Sequence, residues 1–178
     1  MGRFLGEWRD KDPYNSRNER NQYNTSIDDY NCAGFALRTY SWYCPNYFPL
    51  RDMFEMLFEE GCTDFDTAVT RVTDVLVNTM LRDFSGRLRV VQQVGEVRAN
   101  EELIAFRVAA NYDEMSYDPD DADYDFHYRV FRDQRWQEKN GDGDIHSCES
   151  PLGPEYWDAG WIIYNGPMVL LALNIEED

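Results

Sequence analysis

The chain has 178 residues, of which 43% are hydrophobic and 15% aromatic, enough for one packed core and too many for a disordered chain. Seventeen Lys and Arg stand against 34 Asp and Glu, a formal net charge of −17 that repels phosphate backbones and argues against nucleic-acid binding. No run reaches the roughly 18 apolar residues needed to cross a bilayer, and polar sequence follows Met1, so a cytoplasmic protein with no membrane association is expected.

Residues 1–29 are rich in Asn, Arg, Asp and Tyr, show no period, and read as a polar N-terminal arm that Trp8 and Tyr14 would anchor. Residues 30–178 then form one domain. Asp28, Asp29 and Asn31 are candidate N-caps for a helix over Cys32–Trp42, in which Phe35, Ala36, Thr39 and Tyr40 recur at helical spacing. Pro45 and Pro49 interrupt the chain, and a second helix is expected from Arg51 to Glu60, stopped by Gly61. The longest helical pattern follows Thr63 and Asp64 and continues to Asp83, with Ala68, Val69, Val72, Val75, Leu76, Met80 and Leu81 as its apolar stripe.

After Gly86 the period changes to that of strands: Arg87–Val94, Leu103–Ala110, Phe126–Phe131 and Arg135–Lys139, the last two joined by a tight turn at Asp133–Gln134. Asp113–Asp125 is an acidic loop, Asn140–Asp144 another loop, and Trp161–Tyr164 and Met168–Ile175 are two closing strands whose aromatics read as core. Helices followed by strands predict an α+β fold, with N-terminal helices packed on an antiparallel sheet.

Cys32, Cys44, Cys62 and Cys148 have no C-x-x-C pair and no zinc-site spacing, so reduced thiols are expected, with no metal and no cofactor. His146 and Cys148 lie two residues apart but lack a second ligand pair. Asp113–Asp125 and Asp142-Gly143-Asp144 do not match the twelve-residue calcium loop. The acidic loop reads as solvated. Leading directly into His127, it would border a cleft there and favour a neutral or basic substrate.

A thiol acts as a nucleophile in its thiolate form, which a helix N-terminus and a nearby imidazole both favour. Cys32 stands at a predicted helix start, and His127 is one of only two histidines, opening a strand from which its side chain would reach the helix end. Glu138, on the hairpin partner strand, is placed to orient the imidazole, with Asn140 as second choice. Candidate oxyanion donors are the backbone N–H of Cys32 and groups of Tyr30 or Asn31.

The segment Asn31-Cys32-Ala33-Gly34-Phe35-Ala36-Leu37 resembles the N-C-x-x-[YF]-A-L opening of a group of bacterial and phage papain-like cysteine peptidases and amidases, distant kin of the NlpC-type and CHAP-type enzymes. Their second signature, D-[YF]-H-[WF]-[YL]-R … W-S-H-K-x-G, is similar to Asp125-Phe126-His127-Tyr128-Arg129 followed by Trp136-Gln137-Glu138-Lys139-Asn140-Gly141. The resemblance spans residues 31–141, with Leu103–Val108 as the sheet strand before the histidine. It implies a papain-like fold, Cys32 as nucleophile, His127 as base, and a peptide or protein substrate cleaved or transferred through a thioester. This chain departs from the pattern at Glu138, where the signature has histidine. The contrasting expectation is a catalytically silent acidic protein of anti-defence or immunity type that captures a basic partner.

Overall fold

The computed structural model describes residues 7–9, 30–46, 48–111, 123–141, 143–158 and 162–176. A six-stranded antiparallel sheet carries three helices on one face. The elements are β1 (Glu7–Arg9), α1 (Cys32–Ala36), β2 (Trp42–Cys44), α2 (Leu50–Glu59), α3 (Phe65–Asp83), β3 (Leu88–Val91), β4 (Glu101–Asn111), β5 (Asp123–Arg132), β6 (Arg135–Lys139), β7 (Ile145–Ser147), β8 (Trp157–Asp158), β9 (Ile163–Tyr164) and β10 (Val169–Asn174). The main sheet runs β3-β10-β4-β5-β6-β7, so the last strand inserts between β3 and β4. The α+β arrangement matches the expectation from sequence. Within residues 1–29, Glu7–Arg9 pairs with β2, and the rest of the expected arm, with Tyr14, lies outside the described residues, as does most of the acidic loop.

The first helix is much shorter than its apolar spacing implies. It stops at Ala36, because Thr39 and Tyr40 both turn their N–H groups onto the Gly34 carbonyl, at 3.1 Å each, and Arg38 and Tyr40 take left-handed φ values of 58° and 52°. Trp42 therefore lies in β2 rather than at a helix end. Gly34 is required here: a Cβ would collide with the Ser41 carbonyl oxygen.

The longest helix follows its sequence signals closely. Asp64 caps α3 by accepting from the Thr67 N–H at 2.7 Å. Ala68, Val69, Val72, Leu76 and Met80 are buried against the sheet, whereas Val75, at 50% exposure, falls off the stripe. The β5–β6 turn has positive φ at both Asp133 (55°) and Gln134 (65°), the two-residue geometry that suits the twist of a hairpin. It fixes the register Arg132↔Arg135 and Val130↔Gln137.

Two apolar clusters lie on the two faces of the sheet. On the helical side Phe126, Tyr128 and Val130 of β5 pack with α1 and α3 residues. On the other side Ala105, Trp136, Trp157, Ile162 and Tyr164 pack together under the β8–β9 ribbon. Of the strand expected at Trp161–Tyr164, Ile163–Tyr164 is strand, Ile162 is not, and Trp161 lies outside the described residues; β1, β2, β7 and β8 are short strands that periodicity does not reveal.

Candidate active site

The N-terminal turn of α1 is built by Asn31. Its Oδ1 accepts from the Gly34 N–H at 3.0 Å and the Tyr43 N–H at 3.2 Å, while its Nδ2 donates to the Tyr43 carbonyl at 2.7 Å. One side chain thus caps the helix and ties it to β2. Cys32 follows as the first helical residue and is 6% exposed. Tyr30 is fully buried, with Lys139 Nζ 4.8 Å from its ring centroid.

Cys32, His127, Asn31 and Asn140 line one cavity of about 400 Å³, together with Cys44 and Asp125. The structure therefore brings together four of the residues singled out in the sequence. Glu138 stands behind His127, its Oε2 2.8 Å from His127 Nε2. Arg129 Nε donates to the same oxygen at 3.0 Å, and His146 Nε2 lies 2.9 Å from Oε1. Burial works against ionisation of Glu138, but the hydrogen bonds and charges of His127 and Arg129 outweigh it and hold the carboxyl down to about 2.

An ionised carboxylate only accepts, so His127 Nε2 carries a proton, and in the neutral form of the ring the lone pair lies on Nδ1. Nδ1 has no hydrogen-bond partner among the described residues. The ring is held in place, stacked on Tyr164 (centroids 5.2 Å apart, 27° between planes) and edge-on to Trp157 at 6.2 Å. The arrangement supplies a base on Nδ1 and a carboxylate that stabilises the imidazolium.

Cys32 departs from the expectation of a helix-activated thiolate. Burial pushes its thiol well above the ordinary value, Asp125 and Cys44 push the same way, and the Tyr128 backbone N–H and Lys139 oppose them only in part. The short helix supplies too little to offset this desolvation. The thiol is therefore neutral at rest rather than a preformed thiolate.

His127 also departs. Phe126 and Tyr128 point their side chains into the helical core, so alternation along β5 sends His127 to the opposite face, against Trp157 and Tyr164. No hydrogen bond joins it to Cys32. The two meet only as neighbours around one cavity.

Sequence reasoning missed Asp125, Arg129, His146 and Tyr164. Asp125 Oδ2 accepts from the Tyr164 hydroxyl at 2.9 Å and its Oδ1 from the Phe126 N–H at 2.8 Å; burial raises its pKa against both bonds and the charge of His127. Arg129 and His146 were legible in principle. The two-residue turn registers Val130 against Gln137, which sets Arg129 beside Glu138, and Glu138 pairs with His146. Tyr164 comes from a distant strand and leaves no local signal.

No protein-family model, curated protein or solved structure matches this chain. The chemistry of the site's own residues therefore carries its interpretation. Among the described residues no group of three or more His, Cys, Asp or Glu side chains could hold a metal ion, and no helix is long and apolar enough to cross a membrane. All four cysteines are free thiols.

Proposed function

We propose that the chain is a papain-like cysteine peptidase or amidase that cleaves, or transfers, a peptide-type amide through a thioester on Cys32. The observation that carries this reading is the His127–Glu138 pair, 2.8 Å apart, whose imidazole lines the cavity that Cys32 also lines. Because the thiol is neutral at rest, the reaction starts from a thiol–imidazole pair. Cys32 Sγ attacks the amide carbonyl while its proton passes to His127 Nδ1, and Glu138 stabilises the imidazolium. The imidazolium protonates the leaving amine as the C–N bond breaks. Water, or an acceptor amine, then attacks the thioester with His127 as base and releases the acyl group from sulfur. No hydrogen bond joins the two groups at rest, so the proton transfer requires the thiol and the imidazole to approach each other across the cavity they both line. The surface charge of −17 favours a neutral or basic peptide segment as substrate.

The burial of Cys32 and the absence of a hydrogen bond to His127 favour a second reading, a silent scaffold whose acidic surface captures a basic partner. One experiment separates the two. The protein is treated at neutral pH with a peptidyl vinyl sulfone, and the adduct is mapped by mass spectrometry. The enzyme reading expects modification at Cys32, slowed by about a hundredfold or more in His127→Ala, the usual scale of general-base assistance. Labelling confined to Cys44 or Cys62, or Cys32 labelling indifferent to His127, supports the silent scaffold.

A further inference from the structure

Three arginines of this chain grip carboxylates with the same edge of the guanidinium. Arg38 Nε and Nη2 bind Glu102 at 2.9 and 2.7 Å, and Arg89 Nε and Nη2 bind Glu101 at 2.9 and 2.8 Å. Arg132 uses Nε at 2.9 Å and Nη2 at 2.8 Å on Glu102. Two parallel N–H groups on that edge match the two oxygens of one carboxylate.

Arg107 of β4 is built differently. It is the cross-strand neighbour of His127 and is only 6% exposed. Its Nη1 makes a long contact of 3.4 Å to the Tyr164 carbonyl, and its buried Nε has no partner. No carboxylate of the described residues pairs with it. Its guanidinium lies 5.3 Å from the Trp157 ring centroid and 5.5 Å from that of Tyr156, and the buried Trp157 Nε1 also lacks a partner. Aromatic faces offset part of a buried positive charge but accept none of these N–H groups.

The charges on this face leave Arg107 uncompensated. The single negative charge of Glu138 is already engaged by Arg129, whose guanidinium lies 4.8 Å from the Trp157 ring centroid, and by two imidazoles. Burial depresses the Arg107 pKa, and Arg129 adds repulsion against the favourable influence of Tyr156. Unpaired buried donors and an unpaired cation are costly, and one planar anion relieves both.

We propose that Arg107 anchors a binding site for a small carboxylate ligand with an apolar or aromatic body, on the sheet face away from the helices. The carboxylate occupies the Nε/Nη2 edge of Arg107 and accepts from Trp157 Nε1, and its body lies along Tyr156. Tyr156 and Trp157, the two rings that flank Arg107, line with Arg129 a cavity of about 620 Å³ that receives the ligand's body, and Arg107 itself lies behind these rings. The exposed Glu149, Glu155 and Asp158 at the same cavity repel multiply charged anions, so the site selects a monocarboxylate over sulfate or phosphate. The site does not depend on the thiol chemistry of Cys32.

The test uses the full chain, ¹⁵N-labelled, titrated with sodium benzoate while the Trp157 indole N–H is followed, its signal assigned with Trp157→Phe. A saturable shift is expected, with a rise in Tm at saturating ligand. Arg107→Gln abolishes the shift. Arg107→Lys, which keeps the charge but loses the two-toothed edge, weakens binding on the order of tenfold, and it decides the matter if Arg107→Gln does not fold. Cys32→Ala binds as the native protein does, which separates this site from the thiol reading. Absence of a saturable benzoate shift, undiminished binding in the folded Arg107 variants, or equal binding of sulfate overturns the proposal.

Discussion

His127 Nε2 and Glu138 Oε2 lie 2.8 Å apart on neighbouring antiparallel strands, and the same carboxylate also takes Arg129 and His146. The hydrogen bonds and charges of His127 and Arg129 on this half-buried acid explain why its ionised form survives desolvation.

This relationship sets a pH dependence. The folded-state pKa of Glu138, about 2, lies below the ordinary value of 4.5, so its contribution is fully present above about pH 4.5 and is lost as pH falls toward 2. The shift corresponds to at most about 3 kcal/mol, and solvent screening of a half-buried group brings it to about 1–2 kcal/mol. Glu138→Gln should lose a stability of that order near neutrality, and the gap to the native protein should narrow as pH falls below about 4.5. Urea denaturation at stepped pH measures it; a gap that stays constant between about pH 7 and pH 3 contradicts the assignment.

Asn31 satisfies both backbone groups of Tyr43 and caps α1 while 4% exposed. Asn31→Ala strands three buried polar partners and should cost about 2–4 kcal/mol. A loss under about 1 kcal/mol in chemical denaturation would show that the ties are dispensable.

Gly34 packs directly beneath the Ser41 carbonyl, and Gly34→Ala forces two pieces of backbone apart. The expected cost is at least about 2 kcal/mol, the scale of overpacking. Thermal unfolding should show a clearly lowered Tm, whereas Gly95→Ala, with open space around its Cβ position, should leave packing undisturbed.

The two histidines on Glu138 should differ sharply in structural weight. His127, 5% exposed and stacked on Tyr164, leaves a hole among aromatic rings when truncated, and His127→Ala should cost about 2–4 kcal/mol. The His146 side chain is 45% exposed, and His146→Ala should cost under about 1 kcal/mol. Equilibrium denaturation of both variants settles the order, and a reversed order would mean that burial is a poor guide at this site.

Much of the fold is legible locally. Asp64 and the apolar stripe of α3 specify a long amphipathic helix, and the Asp133–Gln134 turn specifies the β5–β6 hairpin with its register. The alternation Phe126, Tyr128, Val130 also signals that His127 faces away from the helices, although the motif around the histidine points the other way. The end of α1 at Ala36 is not legible, because Thr39 and Tyr40 leave the helix to bond Gly34 in a turn that brings β2 alongside Asn31.

The sequence by itself determined the α+β order, the long helix, the central hairpin and the grouping of Cys32, His127 and Asn140 that the fold places around one cavity. These follow from periodicity, caps and turns, which act over a few residues. Only the tertiary structure decided that β10 enters between β3 and β4, that Tyr164 stacks on His127, that Arg107 lies buried beside Trp157, and that the Cys32 thiol is desolvated. Desolvation and long-range strand pairing depend on which distant segments cover a residue, and no stretch of sequence around that residue records them.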